Sequence, residues 1–254
     1  MNKTVKSERT TLNLIAVLFA IALPTLVTLI YFKWLSDYDP SVQQSAYGIG
    51  KFVQFALPVV WVGIFFRYRF GKRKQQRTDP ESEPKSSIPA WLWSVGFGAS
   101  VCIVMVVALW VLSGTELLAG LTDRVQEKVS DLGIDSVWKY ALLGLFYALV
   151  HSFLEEYYWR WFVFDLLKRF VNVPAANAIS SLGFMAHHVV LLSDFFGWTS
   201  PMTWLCSAGV AIGGAYWAWL YQKTGTLMWS WVSHMVVDAG IFAVGYFLVA
   251  KLFG

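Results

Sequence analysis

The sequence predicts an all-α protein, a polytopic transmembrane bundle of about seven spans around a central polar cavity. Two observations carry the class and a third carries the cavity. Hydrophobic residues make up 57% of the chain and charged residues only 14%, where a soluble domain holds nearer a quarter charged. The apolar residues gather in seven runs of about 20 residues, the length that crosses a hydrocarbon core about 30 Å thick. Acidic residues and histidines nevertheless sit inside three of those runs, most visibly the adjacent pair Glu155 and Glu156. A carboxylate near the bilayer centre costs roughly 2.5 to 3.5 kcal/mol even on the lenient insertion scale, so such a cluster marks a functional site by default.

The first span, residues 12–32, follows a polar, basic tail. The run is too long for a removable signal peptide and lacks a small-residue cleavage site, and Pro24 is placed to kink it. The second span is 47–66. A basic loop with Arg67, Arg69, Lys72, Arg73, Lys74 and Arg77 follows, then a polar stretch, 78–87, with the composition of a flexible hinge. Residues 1–87 thus form an N-terminal two-span region, and 88–254 form the core. The third span is 90–112. Leu117, Leu118, Leu121, Val125 and Val129 in the next loop have the spacing of an amphipathic helix lying on the outer surface. The fourth span, 138–164, is longer than a crossing needs, so it tilts or projects. The fifth is 175–195 and the sixth 201–221, where Gly209 and Gly213 make a GxxxG suited to internal helix packing. The seventh is 226–250. Cys102 and Cys206 lie in apolar segments without disulfide or metal-ligand spacing.

Basic residues set the orientation. Lys3, Lys6, Arg9, the basic loop, Lys168, Arg169 and Lys223 fall on one side of a seven-span chain. Asp37, Asp39, Glu116, Asp123, Glu127, Asp131 and Asp135 fall on the other. The N-terminus is expected in the cytoplasm and the C-terminus outside. Basic residues spread over loop ends give no nucleic-acid surface.

The polar residues share one depth. Glu155 lies 13 residues from Lys168, roughly 20 Å along a helix; His188 lies 14 from Pro174, roughly 21 Å; His234 lies 11 from Lys223, roughly 16 Å. Helical phase then divides their roles. Glu156 and Arg160, four apart, share a face and can neutralise each other. Glu155 points about 100° away, toward chemistry rather than scaffolding. His151 shares the Glu155 face, Phe184 that of His188, and His234 that of Asp238. His151 and His187 read as structural.

A carboxylate and two imidazoles in a wet intramembrane cavity suit amide hydrolysis by activated water. The carboxylate serves as general base, one histidine holds the water and the second donates to the developing oxyanion. Glu155, His188 and His234 could equally ligate zinc with an open position, and the residues alone leave the two routes open.

These residues resemble the CPBP family of CAAX proteases and bacteriocin-processing enzymes, also called the Abi family. Its EExxxR motif is matched by Glu155, Glu156 and Arg160, its FxxxH by Phe184 and His188, and its HxxxN/D by His234 and Asp238. The lead-in 224–230 also looks like this family, and the likeness runs from Trp138 to the end. The resemblance implies an intramembrane endopeptidase acting on a membrane-associated peptide or protein. Its cavity would open to the cytoplasm, with Glu155 activating water, His188 assisting, and His234 with Asp238 on the oxyanion side. It favours a metal-independent glutamate mechanism, with no cofactor, over zinc. Two positions depart from the family pattern. Trp161 stands where many members have glycine, and Asp238 where the prenyl-protein enzymes have an amide. An ionised Asp cannot donate a hydrogen bond, so Asp238 must be protonated or must orient His234. The alternatives from other classes are a non-catalytic immunity or regulatory partner on the same fold and a proton-coupled transporter. The second lacks inverted repeats or paired broken spans. Oligomeric state is not legible.

Overall fold

The computed structural model describes residues 3–65 and 88–253, and every regular element among them is helical. The basic loop 67–77 and the hinge expected at 78–87 lie outside the described residues. Eight helices are described: α1 (Lys3–Leu29), α2 (Pro40–Val60), α3 (Ala90–Leu112), α4 (Leu121–Asp131), α5 (Val137–Leu167), α6 (Val173–Phe196), α7 (Pro201–Thr224) and α8 (Leu227–Val249). Local sequence signals set several ends. The side chains of Asp39, Asn172, Ser200 and Thr226 accept backbone N–H bonds at the starts of α2, α6, α7 and α8, each cap contributing about 1 kcal/mol. Gly197 (φ 87°) and Gly225 (φ 69°) follow α6 and α7 in a backbone region that favours glycine.

Six helical stretches are long and apolar enough to cross a membrane: Thr10–Trp34, Pro40–Gly63, Ala90–Leu112, Val137–Leu167, Val173–Phe196 and Leu227–Leu252. The protein is therefore a multi-pass membrane protein. The remaining expected span forms α7, which at 24 residues has crossing length but is not among the six. Its sequence is diluted by small and polar residues because it packs along α6 and buries Thr203, Ser207, Gly213 and Gly214. The outward faces of the other spans carry exposed Phe52, Trp110 and Phe247, the apolar surface a bilayer covers.

The core lies where α1, α5, α6, α7 and α8 meet, around Val17, Tyr158, Trp159, Phe184, Trp217 and Val237. Pro24 helps to fasten α1 to α5. Its ring nitrogen has no hydrogen for the Ala20 carbonyl four residues earlier, and the Tyr158 hydroxyl donates to that carbonyl at 2.7 Å instead. Close approach elsewhere depends on glycines outside the GxxxG. A Cβ on Gly214 would meet Phe184 at 3.2 Å and Ser181 at 3.4 Å, whereas one on Gly209 would meet nothing within 4 Å and one on Gly213 only Trp217 of its own helix. The expectation that Gly209 and Gly213 make the internal contact is thus corrected. The α6–α7 contact lies one residue on, because Gly214, not Gly213, faces α6.

The amphipathic segment becomes α4, with Leu117 and Leu118 in a separate 3-10 turn. Instead of only lying on a surface, α4 ties helix ends together. Val129 is buried with Tyr140 and Val249. Arg124 donates to the Asp194 and Phe195 carbonyls at the end of α6, and Gln126 donates to Leu248 of α8.

Gly240 of α8 tests this packing. A Cβ there would run into Sγ of Cys102 on α3, with Met105 Cε 3.2 Å away. Gly240→Val is expected to cost about 1–3 kcal/mol through overpacking, read as a lower denaturation midpoint in detergent. Gly96→Val, where a Cβ meets nothing within 4 Å, should be close to neutral; equal effects would remove the α3–α8 contact as the cause.

Candidate active site

The site is built on α5, which is not a uniform α-helix. Two π-helical stretches, Tyr147–His151 and Tyr157–Phe164, flank the α-turn Ser152–Glu156 that carries both glutamates. Hydropathy does not reveal such widened turns, which are frequent at functional sites. Glu155, Glu156 and Arg160 are all but inaccessible, at 2%, 0% and 1% exposure, so each needs a partner within the bundle.

Glu156 and Arg160 pair as the spacing predicts, Oε2 to Nε at 3.2 Å. Arg160 also donates to the Gly214 carbonyl at 3.3 Å, and its guanidinium lies 5.0 Å from the Phe184 ring centre and 5.3 Å from that of Trp217. Phe184 thus contacts the arginine and also meets the His187, His188 and His234 rings in T-shaped arrangements.

Three imidazoles ring Glu155. Nε2 of His151 lies 3.8 Å from Oε1, Nε2 of His187 3.6 Å from Oε1, and Nε2 of His234 3.7 Å from Oε2. Each separation falls just outside hydrogen-bond reach, so no histidine occupies the carboxylate directly. His234 is fixed from its other nitrogen. Nδ1 sits 2.9 Å from Glu156 Oε1, where a carboxylate can only accept, and the ring stacks on Trp217 at 3.9 Å. Its Nε2 faces both Glu155 and Asp238, whose Oδ1 is 3.6 Å away. His188 Nδ1 contacts the Phe184 carbonyl at 2.9 Å. That oxygen also only accepts, so Nδ1 carries the proton and a neutral ring leaves Nε2 as a lone pair.

The structure thus brings together Glu155, Glu156, Arg160, Phe184, His188, His234 and Asp238. His187, which helical spacing sets apart from the Phe184–His188 face, nevertheless faces Glu155 and stacks parallel to Trp159. The two adjacent α6 rings lie 4.1 Å apart, centre to centre, so a carboxylate across the gap can meet both. The division between a scaffolding Glu156 and a separate Glu155 also softens, because His234 touches one glutamate through each nitrogen. The donor set suited to zinc changes accordingly. One ligand atom each from Glu155, His187 and His188 lie within 4.8 Å of one another. His234, expected in that set, stands outside this cluster, with Nδ1 on Glu156 and Nε2 facing Glu155 and Asp238. No signal in the sequence singled out Trp159 or Trp217 as ring platforms.

Buried acids and histidines converging from three helices in a multi-pass membrane protein define an intramembrane polar site. Residues 137–240, which contain all three motifs, match the family described as type II CAAX prenyl endopeptidase Rce1-like. No curated protein and no solved structure matches the chain.

Proposed function

We propose that the chain is an intramembrane endopeptidase. In this reading Glu155 activates water to hydrolyse a peptide bond near the C-terminus of a prenylated or otherwise membrane-anchored protein. The observation that carries it is the ring of His151, His187 and His234 around Glu155 at 3.6–3.8 Å. A water beside Oε1 can be held by His188 Nε2, the lone pair left free by the Phe184 contact. As water attacks the carbonyl carbon, Glu155 takes its proton. A protonated Nε2 of His234 donates to the oxyanion that forms, with the ring held by Glu156 and Trp217. When the C–N bond breaks, Glu155 returns the proton to the leaving nitrogen. Asp238 serves by orienting His234, which answers its departure from the amide pattern. We also place the N-terminus in the cytoplasm, on the basic residues of the tail. If α7 crosses with the other six, the C-terminus lies outside.

A second reading is favoured by the donor cluster of Glu155, His187 and His188. Zinc held there would acidify a bound water and polarise the scissile carbonyl. One experiment tests both. Purified protein in liposomes should release a short C-terminal fragment from a farnesylated peptide, and metal analysis with chelation should accompany the assay. Undiminished cleavage by metal-free protein excludes zinc. A wild-type protein that cleaves no membrane-anchored peptide refutes the protease reading. About one metal per chain, with activity lost on chelation, would replace the glutamate mechanism.

A further inference from the structure

Lys51 lies in α2, 11 residues past Pro40 and therefore about 16 Å along the helix. This is the depth of a residue inside a span, outside the segment that matches the family. Its Nζ sits 5.5 Å from the Tyr47 ring centre and 5.6 Å from that of Phe55. Phe55 meets His151 edge to face at 6.1 Å, and His151 meets Glu155. Lys51 is close enough to interact electrostatically with Glu155, His151, His187 and His188. Yet no carboxylate among the described residues forms an ion pair with it. One turn further along α2, Gln54 is fully buried, and neither its amide nitrogen nor its oxygen has a hydrogen-bond partner. A span thus carries an ammonium that forms no close ion pair with any described carboxylate and an unpartnered amide at i+3, which lie on neighbouring parts of one helix face.

We infer that Lys51 binds the free C-terminal carboxylate of the substrate. The inference rests on the protease reading and deepens it by naming a residue that fixes one end of the substrate. An ammonium at membrane depth attracts an anion strongly because little water screens it, and aromatic walls stabilise the cation without neutralising it. Arg160 does not fill this role, since Glu156 and two rings already hold it. Phe55 and His151 link Lys51 to Glu155 in successive contacts, so a short extended peptide can run from one to the other. Fixing the carboxylate at one end of that path would set which peptide bond reaches Glu155. The Gln54 amide is available as a second donor on the same stretch of α2.

The test uses the full chain in liposomes and two farnesylated peptides that differ only in ending as a carboxylate or a carboxamide. Wild type is expected to show a KM at least about 10-fold lower for the acid. Lys51→Met should raise the acid's KM to the amide's level, with the loss in KM rather than kcat, and Lys51→Arg should retain part of the preference. Binding of both peptides to Glu155→Gln protein, which does not depend on turnover, should show the same acid preference. Equal KM values for acid and amide in wild type overturn the role of Lys51 while leaving the protease reading intact. A Lys51→Met protein that keeps the preference but loses kcat on both peptides also overturns it and makes Lys51 a charge-balancing group. Failure of the protein to bind or cleave either peptide removes both readings together.

Discussion

Glu155→Gln is expected to lower kcat on a membrane-anchored peptide by about 10²- to 10⁴-fold, the range a positioned general base supplies. Glutamine has the shape of glutamate and can still meet the three imidazoles, so packing changes little. What disappears is the acceptor that takes a proton from water and returns it to the leaving nitrogen. The variant should therefore accumulate in membranes like wild type, with a similar denaturation midpoint. Kinetics on purified protein give the first number and detergent unfolding the second. Full activity would remove Glu155 from the chemistry. A loss of activity matched by a loss of folded protein would make the carboxylate structural. The variant also separates the base from its neighbour, because Glu156 is paired with Arg160 at 3.2 Å and with His234 at 2.9 Å.

How much of this was legible follows from what sequence signals encode. Spans follow from the composition of long runs, so α1, α3, α5, α6 and α8 fall within a few residues of expectation, apart from the basic tail that α1 also takes up. Pairs four apart on one helix, such as Glu156 with Arg160 and His234 with Asp238, follow from helical spacing. Contacts between helices do not. Only one of two adjacent histidines can share the Phe184 face, so helical spacing points to His188 and away from His187. The gap across which both meet Glu155 depends on how α5 and α6 cross. The π turns around Glu155 leave no trace in the pattern of apolar residues. Lys51 is a different case, because a signal existed. Asp39-Pro40 is an N-cap followed by proline, and starting the second helix there, rather than at Tyr47, places Lys51 inside the span instead of near its edge. For α7, small and polar residues lowered its apolarity for the same reason that they let it pack closely.

The buried Glu156–Arg160 pair carries the largest expected effect on stability. Arg160→Met should destabilise the protein by about 3–5 kcal/mol, because it strands a carboxylate that no water can reach. Neither charge is there for its own sake energetically, since replacing both with apolar or neutral groups of similar volume is often close to neutral. The double variant Glu156→Gln/Arg160→Met should accordingly recover most of the loss. Recovery will be incomplete, because Arg160 also donates to Gly214 and lies against Phe184 and Trp217, and Glu156 also holds His234. Denaturation midpoints of the two single variants and the double give the coupling between them. A double variant as unstable as Arg160→Met alone would mean that the arginine acts through its ring contacts and not through Glu156. Recovered stability without recovered cleavage is the outcome the geometry predicts. The pair then serves to hold His234 at the angle that turns Nε2 toward Glu155, a task that neutral packing can replace in stability but not in position.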